Sequence, residues 1–174
     1  MFNLSGRKNP NKLELGQEGL DLIQHFEGWE PQSYIDDAGF ETIGYGHKLT
    51  GREKRTGKIE TDNGTIHWRN AISRQEGEWI LADDAKEAEH GVQSAVQVKL
   101  KQRQYDALVS WTFNLGSGAL SGSTMLEKLN AEDYQAVPDE MKRWVYAGGR
   151  KLAGLVRRRE SEANLFQGQE WRNT

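Results

Sequence analysis

Phe26-Glu27-Gly28-Trp29-Glu30-Pro31-Gln32-Ser33-Tyr34-Ile35-Asp36-Asp37-Ala38-Gly39-Phe40-Glu41-Thr42-Ile43-Gly44-Tyr45-Gly46-His47 is the stretch on which the fold turns. Just before it and into it, Leu20, Leu22, Ile23 and Phe26 recur at helical spacing, which puts Glu27 on the last turn of an amphipathic helix. Gly28 supplies the left-handed exit that helices favour, and Pro31 forbids continuation. Tyr34 to Asp36 and Phe40 to Ile43 read as two strands around Asp37-Ala38-Gly39, a three-residue loop with glycine at its left-handed position. In that register Asp36 opposes Phe40 and Tyr34 opposes Thr42, so Asp36 and Thr42 are diagonal neighbours on one face. A carboxyl at a helix end, with a carboxylate and a hydroxyl on a hairpin, supplies the groups that hydrolysis of a sugar bond needs.

Outward from this stretch, residues 48–75 are charged and turn-rich, and Lys58 to Trp68 reads as a second hairpin around Asn63-Gly64. Ser73-Arg74-Gln75-Glu76 is a capping-box pattern that opens a helix running to about Val96. Leu81, Ala85, Ala88, Val92 and Ala95 form its apolar stripe, while Gly77 and Gly91 weaken it. Gln102 to Leu115 is apolar enough to be a central buried helix. Shorter helices are expected at Ser123 to Asn130 and at Pro138 to Tyr146, the second with proline at its start, and a last one from Leu155 to Phe166. The expected class is α+β in a single domain over residues 1–174. It comprises a flexible lead-in over 1–12, a β-rich lobe over about 29–72, a long joining helix over about 73–97 and a helical lobe over about 98–170.

Composition narrows the function classes. At 174 residues, 36% hydrophobic and 28% charged, the chain is ordinary for a globular domain, and a net charge of -3 argues against a nucleic-acid partner. There is no cysteine, hence no disulfide or thiolate chemistry. His25, His47, His67 and His90 show no ligand spacing, so neither a metal nor another cofactor is expected. No apolar run has the length of a signal peptide or membrane span, and the expectation is a protein made soluble in the cytosol, without stable membrane insertion.

The candidate residues each have a physical reason. Glu27, near a helix C-terminus and in a cleft, is expected to hold its proton and serve as general acid; Glu30 is the rival, past the helix end. Asp36 is expected to hold and activate water with the Thr42 hydroxyl as second anchor, while Asp37, opening the loop, suits an Asx-turn. His47 is expected to dock on the joining helix with Asp84 as partner, raising the imidazole pKa and depressing that of the carboxyl. Asn114, polar on an apolar helix, must find hydrogen bonds and can offer them to substrate amides. Trp111 and Trp144 lie on apolar faces and read as core; Trp29 and Trp68 are the better candidates for stacking on sugars. Arg150, Lys151, Arg157, Arg158 and Arg159 read mostly as a solvated basic face. From it Arg157 is the expected ion partner of Glu27, lowering the pKa that the helix end raises.

The spacing Glu27-x8-Asp36-x5-Thr42, with Thr42 inside Thr-Ile-Gly-Tyr-Gly-His, resembles the catalytic signature of the bacteriophage-type lysozymes, glycoside hydrolase family 24. The likeness resumes at Gln104 to Gly116, at Ser123-Thr124-Met125-Leu126 and at Gly154 to Glu160, and covers roughly residues 14–167. The resemblance implies a lysozyme-like fold and cleavage of the β-1,4 bond between N-acetylmuramic acid and N-acetylglucosamine, by inversion. It implies Glu27, Asp36 and Thr42 as catalytic residues and Asn114, Gly116, Thr124 and Tyr45 as substrate-binding ones; His47, Asp84 and Arg157, read by position, are expected to support them. The partner it implies is bacterial peptidoglycan, met by a monomeric endolysin that waits in the host cytoplasm for a separate holin. The alternatives are a lytic transglycosylase, which needs no water-holding Asp, and a wall-binding protein without catalysis.

Overall fold

A computed structural model describes residues 12–174; the lead-in expected over 1–12 lies, Lys12 apart, outside them. In chain order the elements are α1 (Gln17–Glu27), β1 (Glu30–Ile35), β2 (Glu41–Gly44), β3 (His47–Lys48), α2 (Gly51–Thr56), β4 (Lys58–Thr61) and β5 (Gly64–His67). There follow α3 (Arg74–Ala95), α4 (Gln102–Leu115), α5 (Ser117–Ser121), α6 (Thr124–Asn130), α7 (Val137–Met141), β6 (Tyr146–Ala147), β7 (Arg150–Lys151) and α8 (Ala153–Gln167). The class is α+β. Leu20–Lys86 is one compact unit; the described residues up to Gly19, together with Glu87–Thr174, are the other.

In the Leu20–Lys86 unit, Gly28 leaves α1 at φ 77° and Gly39 closes the hairpin loop at φ 85°. β1, β2 and β3 form an antiparallel sheet in that order, with Tyr34 opposite Thr42 as the loop length requires. β1 starts earlier than expected, with Glu30 opposite Gly44, and an irregular register between Glu30 and Tyr34 accommodates Pro31. The second hairpin forms, but its turn is Asp62-Asn63; Gly64 pairs with Thr61 as the first residue of β5. Behind the strands Ile43, Leu49, Ile59, Ile66, Trp68, Ile72 and Ile80 share one apolar core. Trp68 is therefore a core residue, not a sugar platform, and its indole N–H donates to the Glu53 carbonyl at 3.0 Å. α2 was not expected, although Thr50 and Glu53 form a full capping box at its start. Ser73 and Glu76 cap α3 as their pattern predicts.

α3 tolerates its glycines because space demands them. A Cβ on Gly77 would fall 2.2 Å from the Trp29 ring, and one on Gly91 2.3 Å from Ser117 Oγ. Trp29 is thus seated on α3 rather than free in a cleft.

In the other unit α4 has the expected bounds and packs on α8. α7 ends at Met141, short of the expected Tyr146, which instead begins a two-strand hairpin. Gly148 and Gly149, at φ 56° and 76°, make its turn. Trp144 lies outside any helix and meets buried Trp111 edge-on at 5.2 Å. Arg158 and Arg159 are buried rather than part of a solvated face. The segment before α1 and the start of that helix are bound into this unit: Leu15 N–H donates to Glu89, Gly16 N–H to Asp106 Oδ1, and Trp171 Nε1–H to Glu18.

Candidate active site

The β1–β2 hairpin fixes Asp36 through its backbone and its side chain. Its Oδ1 accepts from Ala38 N–H at 3.0 Å and from Phe40 N–H at 2.8 Å, the Asx-turn expected of Asp37. Its Oδ2 faces the Thr42 hydroxyl at 3.4 Å and Lys48 Nζ at 3.9 Å. The Phe40 amide, helped by that of Ala38, by Lys48 and by Thr42, holds the carboxyl below the usual range against a desolvation cost. Asp36 therefore stays ionised through neutral pH with one oxygen committed to the loop. The Thr42 hydroxyl is nearly enclosed and bonds the Phe40 carbonyl at 3.1 Å, closer than its approach to Asp36.

Glu27 is the last residue of α1 and is half-buried. A Cβ placed on Gly46 would lie 3.5 Å from its Oε2, so the Gly44-Tyr45-Gly46 turn brings bare backbone up to this carboxyl. Glu30, the rival, is exposed on β1.

Tyr34 went unnoticed in the sequence. Its phenol is raised by burial and then by the negative charges of Asp36, Glu30, Asp37 and Glu27, so it stands neutral in the field of both candidate carboxylates. Its position opposite Thr42 was the available signal.

Tyr45 is buried, with its ring against Trp29 at 4.9 Å and its hydroxyl accepting from Arg74. His47 joins three elements. Its Nδ1 lies 2.9 Å from Asp84 Oδ2 on α3, and its Nε2 3.2 Å from Glu53 Oε2 on α2. Burial alone lowers the imidazole pKa; the Asp84 hydrogen bond and the charges of Asp84 and Glu53 outweigh it, leaving the value raised. Glu53, the partner missed in the sequence, is pushed up by burial, but the Thr50 amide and hydroxyl and then His47 bring it below its usual value. Its Thr50-x-x-Glu53 pattern was readable.

Asn114, Gly116, Thr124 and Arg157 belong to the other unit, and all four are exposed. Asn114 sits in the last turn of α4, Gly116 caps that helix at φ 90°, Thr124 opens α6 and Arg157 lies on α8. Among the described residues no group of three or more His, Cys, Asp or Glu side chains is placed to hold a metal ion.

The phage lysozyme family matches residues 24–162. The chain is 36% identical over 163 residues to the endolysin of Bacillus phage B103, covering 92% of this chain and 57% of that protein. It spans little more than half the length of the two Bacillus phage endolysins it matches. Against the endolysin of Salmonella phage P22 it is 34% identical over 151 residues, 87% of this chain and 97% of that one. A solved mutant of the P22 lysozyme superposes with a TM-score of 0.75 at 34% identity, over 89% of this chain and 99% of that one. The solved muramidase domain of SpmX from Asticaccaulis excentricus gives a TM-score of 0.72 at 30% identity, over 89% and 98% of the two chains.

Proposed function

Since the chain belongs to the phage lysozyme family, we propose that it is a peptidoglycan muramidase, hydrolysing the β-1,4 bond from N-acetylmuramic acid to N-acetylglucosamine with inversion. Glu27 gives its proton to the glycosidic oxygen as that bond breaks. Water attacks the anomeric carbon from the opposite face and passes a proton to Asp36 Oδ2, while the Thr42 oxygen accepts from its other O–H. The reading rests on the divided carboxylate of Asp36. Oδ1 is used by two loop amides, and Oδ2 is left beside a hydroxyl, an arrangement suited to orienting a small third molecule. A nucleophilic carboxylate has no need of the hydroxyl.

Asn114, Gly116 and Thr124 are assigned to binding the glycan. Tyr45 supports the hairpin from beneath, as its burial suits, and His47 with Asp84 anchors it. For the biological role we propose, by analogy with the endolysin relatives, a monomer that reaches the host wall from the cytoplasm when a separate holin opens the membrane. Among the described residues no helix is long and apolar enough to cross a membrane itself.

Early-time NMR of glycan strands cleaved by the purified protein tests the chemistry. An initial α anomer is expected. An initial β anomer means retention, a 1,6-anhydro end means transglycosylation, and absence of cleavage removes the enzymatic reading.

A further inference from the structure

Asn114, assigned above to binding the glycan, is paired with Arg159, a residue that the site above does not use. Asn114 is exposed, whereas Arg159, on α8, is fully buried. Arg159 Nη2 donates to Asn114 Oδ1 at 2.7 Å. Nε and Nη1 of the same guanidinium have no hydrogen-bond partner among the described residues, so this is its one side-chain hydrogen bond. Arg159 is itself held by an ion pair, Nε to Glu162 Oε2 at 3.0 Å, too poorly aligned to count as a hydrogen bond. Buried Glu162 is fixed in turn by the Ser110 hydroxyl at 2.8 Å and by Arg158 Nε at 3.2 Å. Ser110 lies one turn before Asn114 on α4, so both ends of the arrangement stand on one rigid helix face.

Arginine has donors and no acceptor, which settles the amide orientation on chemical grounds: the carbonyl of Asn114 must face Arg159, and its NH2 must face away. A free asparagine reads donors and acceptors alike by turning over. One pinned by a buried cation presents only donors. We infer that Arg159 is a positioning residue that locks Asn114 as an obligate hydrogen-bond donor toward the glycan, there to read the carbonyl oxygen of an acetamido group. Sugar hydroxyls both donate and accept and would be met by either orientation. An acetamido carbonyl only accepts, and it is the group for which the pinning matters. This rests on the muramidase reading.

The test compares soluble N-acetylated glycan strands with the same strands after chemical de-N-acetylation, for the whole protein and four variants. Asn114→Asp keeps an oxygen for Arg159 and replaces the outward NH2 by an acceptor; Asn114→Ala is the neutral control. Both should raise KM on the acetylated strands about tenfold, the effect of one lost hydrogen bond, with kcat within about twofold. With Asn114→Ala, the rise in KM should be clearly smaller on the de-N-acetylated strands than on the acetylated ones. Arg159→Met should erase the preference for acetylated strands, and Arg159→Lys, which keeps one donor, should restore part of it. If Arg159→Met does not fold, the two Asn114 variants still decide. Cleavage by the wild type with an acetyl preference unchanged in both Asn114 variants overturns the inference and leaves the muramidase reading standing. A wild type that cleaves neither strand overturns both.

Discussion

Exchanging Glu27 for glutamine keeps the shape and removes the proton, so the Glu27→Gln protein should melt normally and fail to clear peptidoglycan. The expected loss is about 10²–10⁴-fold, while Glu30→Gln should stay within a few-fold of wild type. Survival of activity in the first and loss in the second would reverse the assignment. Asp36→Asn is a second probe, because its carbonyl can still accept from Ala38 and Phe40. The hairpin should persist and the rate should fall by a comparable factor. Thr42→Val should cost less, because the hydroxyl already spends its hydrogen on the Phe40 carbonyl as well as on Asp36. At this scale the sequence was legible in residue type and spacing, and less so in which neighbour does which task. Asp36 and Asp37 are adjacent carboxylates, and only the backbone direction decides that Asp36 closes the turn. Trp68 read as a candidate for stacking on sugars because its surroundings are polar in sequence, yet it is buried among apolar residues from Ile43 to Ile80.

Elements with a long apolar period were predicted well. α4 has both its ends where the period sets them, and α3 begins at its Ser73–Glu76 box. α2, α5 and the β6–β7 hairpin are too short to show a period, which is why they were missed. Gly77 shows how packing can overrule propensity. Alanine there should favour the helix by about 1 kcal/mol, but its Cβ would meet the Trp29 ring, and overpacking costs about 1–3 kcal/mol. Gly77→Ala should therefore lower stability, by up to about 2 kcal/mol in a denaturant titration; a rise would mean Trp29 moves freely.

His47 makes β3, α2 and α3 depend on pH. Its raised value gives stability that is complete below the unfolded pKa of about 6.5 and lost as pH rises through the folded one. The lowered value of Glu53 gives stability present above about 4.3 and lost as pH falls through its folded value. The two overlap in mildly acidic solution, between roughly pH 4.3 and 6.5. There the melting temperature of wild type should exceed that of His47→Asn by most, and the gap should narrow at pH 8. An NMR titration in which His47 does not rise above an unfolded peptide would contradict this.

At the scale of the molecule, the family likeness ran along most of the chain and the class was legible, whereas the division of the chain was not. The Leu20–Lys86 unit is continuous, but the other is assembled from segments before and after it. Hydrogen bonds between residues 74, 90 and 153 positions apart leave no local period to read. They also impose an order in time. Glu18 leaves the ribosome long before Trp171, whose indole it will hold, and 153 residues of synthesis take roughly 8–30 s at about 5–20 residues per second. From Lys86 onward in that interval the continuous unit has all its residues, while the unit that uses both chain ends cannot be complete. Nascent chains arrested after Lys86 should therefore expose Leu15 to Glu18 to protease, and chains extended past Trp171 should protect these residues. If cleavage needs the proposed contact of Asn114 with the glycan, a half-made chain is harmless to the cell that makes it.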